Sequence, residues 1–204
     1  SILPEVSLCF GWLFRPLLSF VTSIFRIHNN YHYLPFDWNY LGEDDIALTA
    51  MVSFEDYNRV SHYPSRYAEL TDKYLRFRNR QDAVRWMDCY QYFIKKLSYI
   101  YPNKILVLKS PPHMGRIDLL IHAFQNPRFI FIHRDPAEAI RSARKLWNLN
   151  KPFIYEDFTA PMVESLLIQQ YADFYDLFSA QTARIEYAEV RFTELISDPL
   201  PVID

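Results

Sequence analysis

Basic and hydroxyl side chains follow two apolar runs in the middle of the chain. Lys109 and Ser110 come directly after the run 105–108, and Arg134 comes shortly after the run 129–132. Continuous apolar runs of this length are typical of strands buried on both faces of a parallel sheet. Because ligands bind beyond the carboxyl ends of such strands, we expect the polar side chains that follow them to converge on one crevice. These side chains belong to Lys109, Ser110, His113 and Arg134.

The segment after Arg134 has the start signals of a helix. Asp135 suits the cap position, Pro136 suits the first turn, and Glu138 is the acidic third residue of a capping box. Ser142 follows Asp135 by seven residues. That is about two turns at ~3.6 residues per turn, so both residues share one helix face. A guanidinium from Arg134 and a hydroxyl from Ser142 could therefore reach one oxyanion, and this pair suits a phosphate monoester.

Periodicity predicts how the rest of the chain surrounds these strands. Apolar residues at helical spacing predict helices over 80–101, 117–124 and 161–182. Alternating apolar residues predict a third strand over 185–192. The two central strands and the helix between them form a βαβ unit, which is right-handed by default. The prediction is an α/β protein.

Composition excludes several classes of protein. The chain has 204 residues, of which 50% are hydrophobic and 17% aromatic, so it is globular and forms one domain. A net charge of −2 argues against a general nucleic-acid binder. Cys9 and Cys89 lack the spacing of a zinc site. The apolar segment 6–25 contains Arg15 and Pro16, which argues against a membrane span and favours two short helices. These helices would pack in the core or lie on the substrate side, and the alternative is association with a membrane surface.

Three segments together resemble one enzyme family. The stretch from Arg134 to Ser142 resembles the 3′-phosphate-binding motif of sulfotransferases that use 3′-phosphoadenosine-5′-phosphosulfate (PAPS). The segments 108–113 and 190–199 are similar to two further segments of that family, the second to its "(R)YEDL…DP" motif. The variety is the bacterial and protist type, and the resemblance covers roughly residues 24–204.

The resemblance implies a fold and an activity. The fold would be a three-layer α/β architecture, with a mostly parallel sheet and helices on both faces, similar to that of P-loop NTPases. The activity would be transfer of a sulfonate from PAPS as co-substrate, without a metal, to a hydroxyl or amine. A carbohydrate or small metabolite would be the acceptor. We expect no nucleic-acid partner and no transmembrane span in this chain. Protein partners are possible. The cytoplasm is slightly favoured, with the Golgi lumen as the alternative if upstream sequence carries an anchor.

The resemblance also assigns roles to residues. Arg134, Ser142 and Phe192 would bind the nucleotide, Lys109 would steady the transferring sulfonate, and His113 would be the catalytic base. Each residue has a structural alternative. Arg134 could pair with Asp135 or Glu138, and Ser142 could be a hydroxyl on the helix surface. Lys109 could pair with Asp118 or with a C-terminal acid, and His113 could cap a helix or be structural. Packing explains Phe192 equally well.

One family feature has no counterpart in this sequence. The loop that binds the 5′-phosphosulfate is rich in Gly, Ser and Thr, whereas the chain has only Gly11, Gly42 and Gly115. We therefore expect an incomplete fold: one domain over 1–204, truncated at both ends, or one that has lost the phosphosulfate half of its site. A catalytically inactive subunit that serves protein contacts is the alternative function. A P-loop kinase relative ranks last, because no Walker motif occurs.

Several other features are open to two interpretations. Glu43, Asp44 and Asp45 suit the first turn of a helix, and the alternative is an acidic contact with substrate or partner. The loop 148–161 could form a lid or recognise the acceptor. His133 should point to the face of the sheet opposite Arg134, by strand alternation. A set of aromatic side chains could line an acceptor pocket or pack in the core; they belong to Tyr57, His62, Tyr63, Tyr67 and Tyr74.

Overall fold

The computed structural model describes residues 43–51 and 56–199. Our interpretations of the segment 6–25 and of Cys9 lie outside these ranges. Within them the helices are α1 (Asp44–Met51), α2 (Tyr67–Tyr74), α3 (Arg80–Ile100), α4 (Ile117–Ala123), α5 (Pro136–Asn150), α6 (Ala160–Thr182) and α7 (Phe192–Ser197). The strands are β1 (Phe129–His133) and β2 (Tyr187–Arg191). Short 3₁₀ turns span Tyr57–Ser61, Pro64–Arg66, Pro111–Gly115 and Lys151–Phe153.

The sheet of the described ranges consists of β1 and β2, which run parallel. Their register pairs Phe129 with Tyr187 at one end and His133 with Arg191 at the other. Two helices, α5 and α6, connect the strands, as a parallel crossover requires. The helix-rich α/β fold with a parallel sheet is as predicted, and its small sheet fits the expected incomplete form. Both strands end at the same edge of the sheet.

The prediction of a strand over 105–108 is wrong. Residues 104–110 form neither strand nor helix, and among the described residues they pair with no strand. Ile105 is 93% exposed and Val107 is 87% exposed. Leu108 packs against a buried cluster around Tyr90. The run therefore has one covered side only, whereas a strand in the middle of a sheet needs hydrogen-bonding neighbours and cover on both faces.

Two clusters of apolar side chains form the core of the described chain. One is built on α2 and α6 and includes Leu70, Leu75 and Leu166. The other is built on α3, where Trp86 and Tyr90 pack with Leu48 and Leu120. Tyr57, Tyr67 and Tyr74 are all buried in the first cluster. They are therefore core residues and do not line an acceptor pocket.

The turn Pro111–Gly115 lies directly against α6. A Cβ atom on Gly115 would lie 3.1 Å from Cδ1 of Leu177 and 3.3 Å from Cβ of Leu75. Glycine thus allows this turn to approach the core closely, and the turn fixes the direction of the side chains around it. His113 and Arg116 belong to this segment.

Asp56 is a buried acid whose charge destabilises the fold. Burial raises the pKa of Asp56 above its ordinary value of 3.8, although its hydrogen bond from Thr49 works in the opposite direction. Its side chain also accepts a hydrogen bond from the backbone N–H of Asn58, at 2.7 Å. The folded state therefore favours the protonated acid. The stability that this provides is full below pH 3.8 and is lost as the pH rises through the folded pKa.

We expect Asp56→Asn to raise the free energy of unfolding at pH 7 by about 1 kcal/mol, the low end of the cost of burying a poorly compensated polar group. An asparagine oxygen can still accept from Asn58, so the cap is retained. Urea titrations at several pH values measure this. The gain should shrink as the pH falls towards 3.8. A gain that is independent of pH would show that the charge is not its cause.

The segment 151–159, which connects α5 to α6 within the predicted loop 148–161, is docked on the protein. The backbone N–H of Tyr155 donates to the carbonyl of His62 at 3.0 Å, and the two rings stack with centroids 6.0 Å apart. The carboxylate of Glu156 accepts from the backbone N–H of Ser65 at 2.9 Å and from its hydroxyl at 2.6 Å. The loop is thus held to the turns that precede α2.

Among the helices of the described ranges, none combines the length and the apolar character that a membrane span requires.

Candidate functional site

A cavity of about 520 Å³ lies at the shared carboxyl edge of β1 and β2. Two arginines, Arg134 and Arg191, follow or end the two strands and both line it. The remaining polar and aromatic wall includes His133, Tyr171, Tyr175 and Thr193. This position agrees with the rule that ligands bind beyond the carboxyl ends of parallel strands. Two guanidinium groups and a hydroxyl make the cavity suitable for an anion.

Arg134 lies just before α5 and contacts Glu138 on that helix and Phe192 after β2. Its guanidinium carbon lies 4.8 Å from the ring centroid of Phe192, which is a cation–π contact. Its Nε lies 3.4 Å from a carboxylate oxygen of Glu138, a long and partly exposed interaction. Asp135 caps α5 by accepting from the backbone N–H of Glu138 at 3.0 Å, as predicted. The capping therefore fixes the chain direction immediately after Arg134.

Two of the three predicted nucleotide-binding residues, Arg134 and Phe192, are thus in contact. The third, Ser142, lies two turns into α5 and is half-buried. Ser142 makes no side-chain hydrogen bond to any other residue that the structure describes. It is available to a ligand that enters along α5, but no contact joins it to Arg134.

The predicted catalytic residues lie in a second group, against the start of α1. Lys109 pairs with Glu43, and its side chain is largely exposed. His113 binds Asp44, with 2.7 Å between Nε2 and Oδ2. The same segment continues to Arg116, which binds the next acid, Asp45. Three consecutive acids therefore meet three basic residues of one segment. Asp44 and Asp45 lie in the first turn of α1, as predicted, and the pairing with basic side chains adds to this role.

Asp44 is the centre of a small buried network. One carboxylate oxygen, Oδ2, accepts from the hydroxyl of Tyr90 at 2.6 Å as well as from His113. Burial acts to raise the pKa of Asp44, but the hydrogen bonds from His113 and Tyr90 outweigh it and hold the pKa below its ordinary value. Asp44 is therefore a carboxylate at neutral pH. Burial and the neighbouring charge of Asp44 raise the pKa of Tyr90, so its hydroxyl stays protonated.

Arg116 and Asp45 form a fully buried ion pair. Their side chains are 0% and 1% exposed, respectively. Nη1 of Arg116 lies 2.6 Å and 2.7 Å from the two oxygens of Asp45. Nε of Arg116 donates to the carbonyl of Tyr74 at 2.9 Å, and the guanidinium lies over the ring of Trp86 at 4.6 Å. This pair ties α1, α2 and α3 to the segment that carries His113.

The side chains that we expected to converge on one crevice therefore belong to two groups. The cavity wall contains Arg134, whereas Lys109 and His113 belong to the cluster on α1. His133 also lines this cavity, beside Arg134. It stacks on Phe131 with centroids 6.0 Å apart, on the side of β1 that faces α6.

Sequence reasoning missed several residues of these two groups. Arg191 is the last residue of β2 and lies next to the end of the strand predicted over 185–192, so the strand-end rule that selected Arg134 could have found it too. The contacts of Asp44 and Tyr90 with His113 gave no local signal, because these residues lie 69 and 23 positions from His113 in the chain. Within 43–51 and 56–199, no group of three or more His, Cys, Asp or Glu side chains is placed to hold a metal ion.

A comparison with protein families decides the affiliation of the chain. The family model described as "Sulfotransferase family" matches residues 31–204. The chain belongs to the sulfotransferase family. The match includes both the cavity at the sheet edge and the cluster on α1. No match was found among curated proteins or among solved structures.

Membership of the sulfotransferase family has direct consequences for the two groups. A sulfotransferase moves a sulfonate group, so it must bind an anionic donor and must deprotonate an acceptor. The cavity with Arg134 and Arg191 has the charge for the first task. The cluster on α1 contains an imidazole and an ammonium group, on His113 and Lys109.

Proposed function

We propose that this sulfotransferase uses PAPS and transfers its sulfonate to a hydroxyl or amine of a carbohydrate or small metabolite. The observation that supports the donor most strongly is the contact between Arg134, which lines the cavity, and Phe192, with 4.8 Å from the guanidinium to the ring centroid. A guanidinium and an aromatic ring at one point suit a ligand that joins a phosphate to a purine.

The cavity wall and the side chains of Ser142 and Phe192 could together bind the 3′-phosphate and the base of such a nucleotide. Arg134 supplies a planar fork for the 3′-phosphate, and Ser142 supplies a hydroxyl along α5. Phe192 supplies an apolar face for the base. Glu138 and Asp135 near Arg134 do not oppose this, because Asp135 is engaged in capping α5 and Glu138 holds Arg134 only at 3.4 Å.

The cluster on α1 supports the transfer itself. Lys109 is largely exposed, and it can exchange Glu43 for a sulfonate oxygen at little energetic cost, because surface ion pairs are worth ~0–1 kcal/mol. The ammonium would then offset the negative charge that develops on the transferring group. His113 would accept the proton of the acceptor.

The surface around Tyr155 supports an acceptor with a flat face. Tyr155 lies against both His62 and Tyr63, with centroid distances of 6.0 Å and 5.5 Å. The ring of Tyr155 is 66% exposed, so it can stack on a sugar or phenol. This is the loop in which we expected acceptor recognition.

Binding of nucleotides tests the donor. We expect 3′-phosphoadenosine-5′-phosphate to bind at least tenfold more tightly than 5′-AMP, because only the former carries the phosphate that pairs with Arg134. One such charge-assisted contact is worth about 1.5–3 kcal/mol, or roughly tenfold or more in affinity. Isothermal titration calorimetry with both nucleotides measures the ratio. Equal affinities, or no binding of either nucleotide, would exclude the proposed donor site.

The second candidate is a catalytically inactive subunit that serves protein contacts. The exposed apolar side chains of Ile105, Val107 and Ile130 favour it, because such side chains are common at protein interfaces. Absence of nucleotide binding in a protein that is folded would support this candidate over the enzyme.

A further inference from the structure

The hydrogen atoms around Asp44 determine which nitrogen of His113 is basic. The carboxylate of Asp44 can only accept hydrogen bonds, and its Oδ2 has two neighbours, the hydroxyl of Tyr90 at 2.6 Å and Nε2 of His113 at 2.7 Å. Tyr90 has a single hydroxyl proton, and the shorter contact directs it to Asp44. Nε2 lies 3.3 Å from the same hydroxyl oxygen, so neither neighbour of Nε2 can donate to it.

Nε2 of His113 must therefore carry a proton, and the lone pair of the neutral ring lies on Nδ1. Nδ1 is shielded from solvent and has no hydrogen-bonding partner in the described part of the chain. A buried acceptor without a partner is unfavourable, and a donor from a ligand would satisfy it. Two aromatic rings hold the imidazole in place. Tyr90 and Trp86 meet it edge-on, with centroids 5.6 Å and 6.4 Å away.

We propose that Asp44 is a positioning residue that keeps His113 in the tautomer protonated at Nε2, so that Nδ1 receives the proton of the acceptor. This rests on the proposed function for the identity of the reaction. Asp44 acts through His113 and does not touch the substrate.

The transfer of the sulfonate moves one proton to His113 and one electron pair to the nucleotide. The acceptor's O–H bond breaks, and its proton forms a bond to Nδ1 of His113. The acceptor oxygen forms a bond to sulfur, and the bond from sulfur to the 5′-phosphate oxygen of PAPS breaks. The electron pair of that bond leaves with the nucleotide. The imidazolium that results carries two N–H groups, and the one on Nε2 already points to the carboxylate of Asp44, as in other histidine–aspartate pairs.

Nitrogen-15 NMR of the histidine rings, recorded on the whole chain at neutral pH, tests the tautomer without any substrate. We expect His113 to show a protonated Nε2 and an unprotonated Nδ1, with the signals assigned from a His113→Gln variant. His122 is an internal reference of the opposite kind, because its Nδ1 is directed at the carbonyl of Asp118 and must donate to it. A His113 that is protonated at Nδ1, or doubly protonated, would overturn the proposal.

Kinetics test the consequence for the reaction. We expect Asp44→Asn to lower kcat by about 10²–10⁴-fold, the usual contribution of a positioned base, with KM and nucleotide affinity changed less than threefold. Tyr90→Phe, which removes the second donor but leaves the carboxylate, should lower kcat less than tenfold. An Asp44→Asn variant with unchanged kcat would refute the role. If the wild-type protein neither binds the nucleotide nor transfers sulfonate, the proposed function fails, and the tautomer is still decided by NMR.

Discussion

Replacing Arg116 with methionine lowers the free energy of unfolding by about 3–5 kcal/mol, because the carboxylate of Asp45 is then left buried without its partner. The side chain of Asp45 is 1% exposed, so water cannot replace the guanidinium. The carbonyl of Tyr74 loses its hydrogen bond in the same variant. Since a domain of this size is stabilised by roughly 5–15 kcal/mol, the loss is a large part of the total. Urea unfolding followed by circular dichroism measures it.

Two further variants show whether the buried charge is the cause. The double variant Asp45→Leu with Arg116→Met should regain most of the loss, because it removes both charges together. Arg184→Met breaks an ion pair of similar length, 2.7 Å, but its partners are 63% and 38% exposed. We expect this control to cost less than about 1 kcal/mol. If Arg116→Met and Arg184→Met cost the same, the pair of Arg116 and Asp45 does not stabilise the fold as described.

Replacing Arg134 with alanine should weaken the binding of 3′-phosphoadenosine-5′-phosphate by about 10–150-fold. The guanidinium is the group that we place on the 3′-phosphate, and the loss of such charge-assisted contacts costs about 1.5–3 kcal/mol. The affinity of the Arg134→Lys variant should lie between those of the wild-type protein and Arg134→Ala, because lysine keeps the charge but loses the planar fork. The affinity for 5′-AMP should change little in either variant. Calorimetry or the rise in melting temperature with nucleotide measures these effects.

The matched control for Arg134 is Arg78. Arg78 is 70% exposed, pairs with Asp72 on α2, and does not line the cavity. Arg78→Ala removes the same side chain and the same charge, so it corrects for the general effect of net charge on an anionic ligand. We expect less than a twofold change in affinity. Equal losses in the two variants would mean that the nucleotide is attracted by net charge and is not bound by Arg134.

The elements with strong local patterns could be predicted from the sequence. The strand at Phe129–His133 and the helix after it were predicted because an apolar run is followed by Asp135, Pro136 and Glu138, whose chemistry starts a helix. The structure confirms that Asp135 caps this helix. Arg134 followed from the same local pattern, because a strand end and a helix start fix its position.

Features that depend on distant residues could not be predicted. The run 105–108 is as apolar as β1, but whether such a run joins a sheet depends on neighbours that its own sequence does not encode. The pairing of Asp44 with His113 joins residues 69 positions apart. Periodicity carries no information about such a contact. The acids at 43–45 could therefore be recognised as a helix start, but their basic partners could not.

A crystal structure of the protein grown with 3′-phosphoadenosine-5′-phosphate tests the central claim most directly. Our account predicts that the 3′-phosphate lies in the cavity at the ends of β1 and β2, with its oxygens about 3 Å from the guanidinium of Arg134. It also predicts that the adenine lies against Phe192. A nucleotide bound elsewhere on the protein, with the cavity beside Arg134 and Arg191 containing only water, would contradict it.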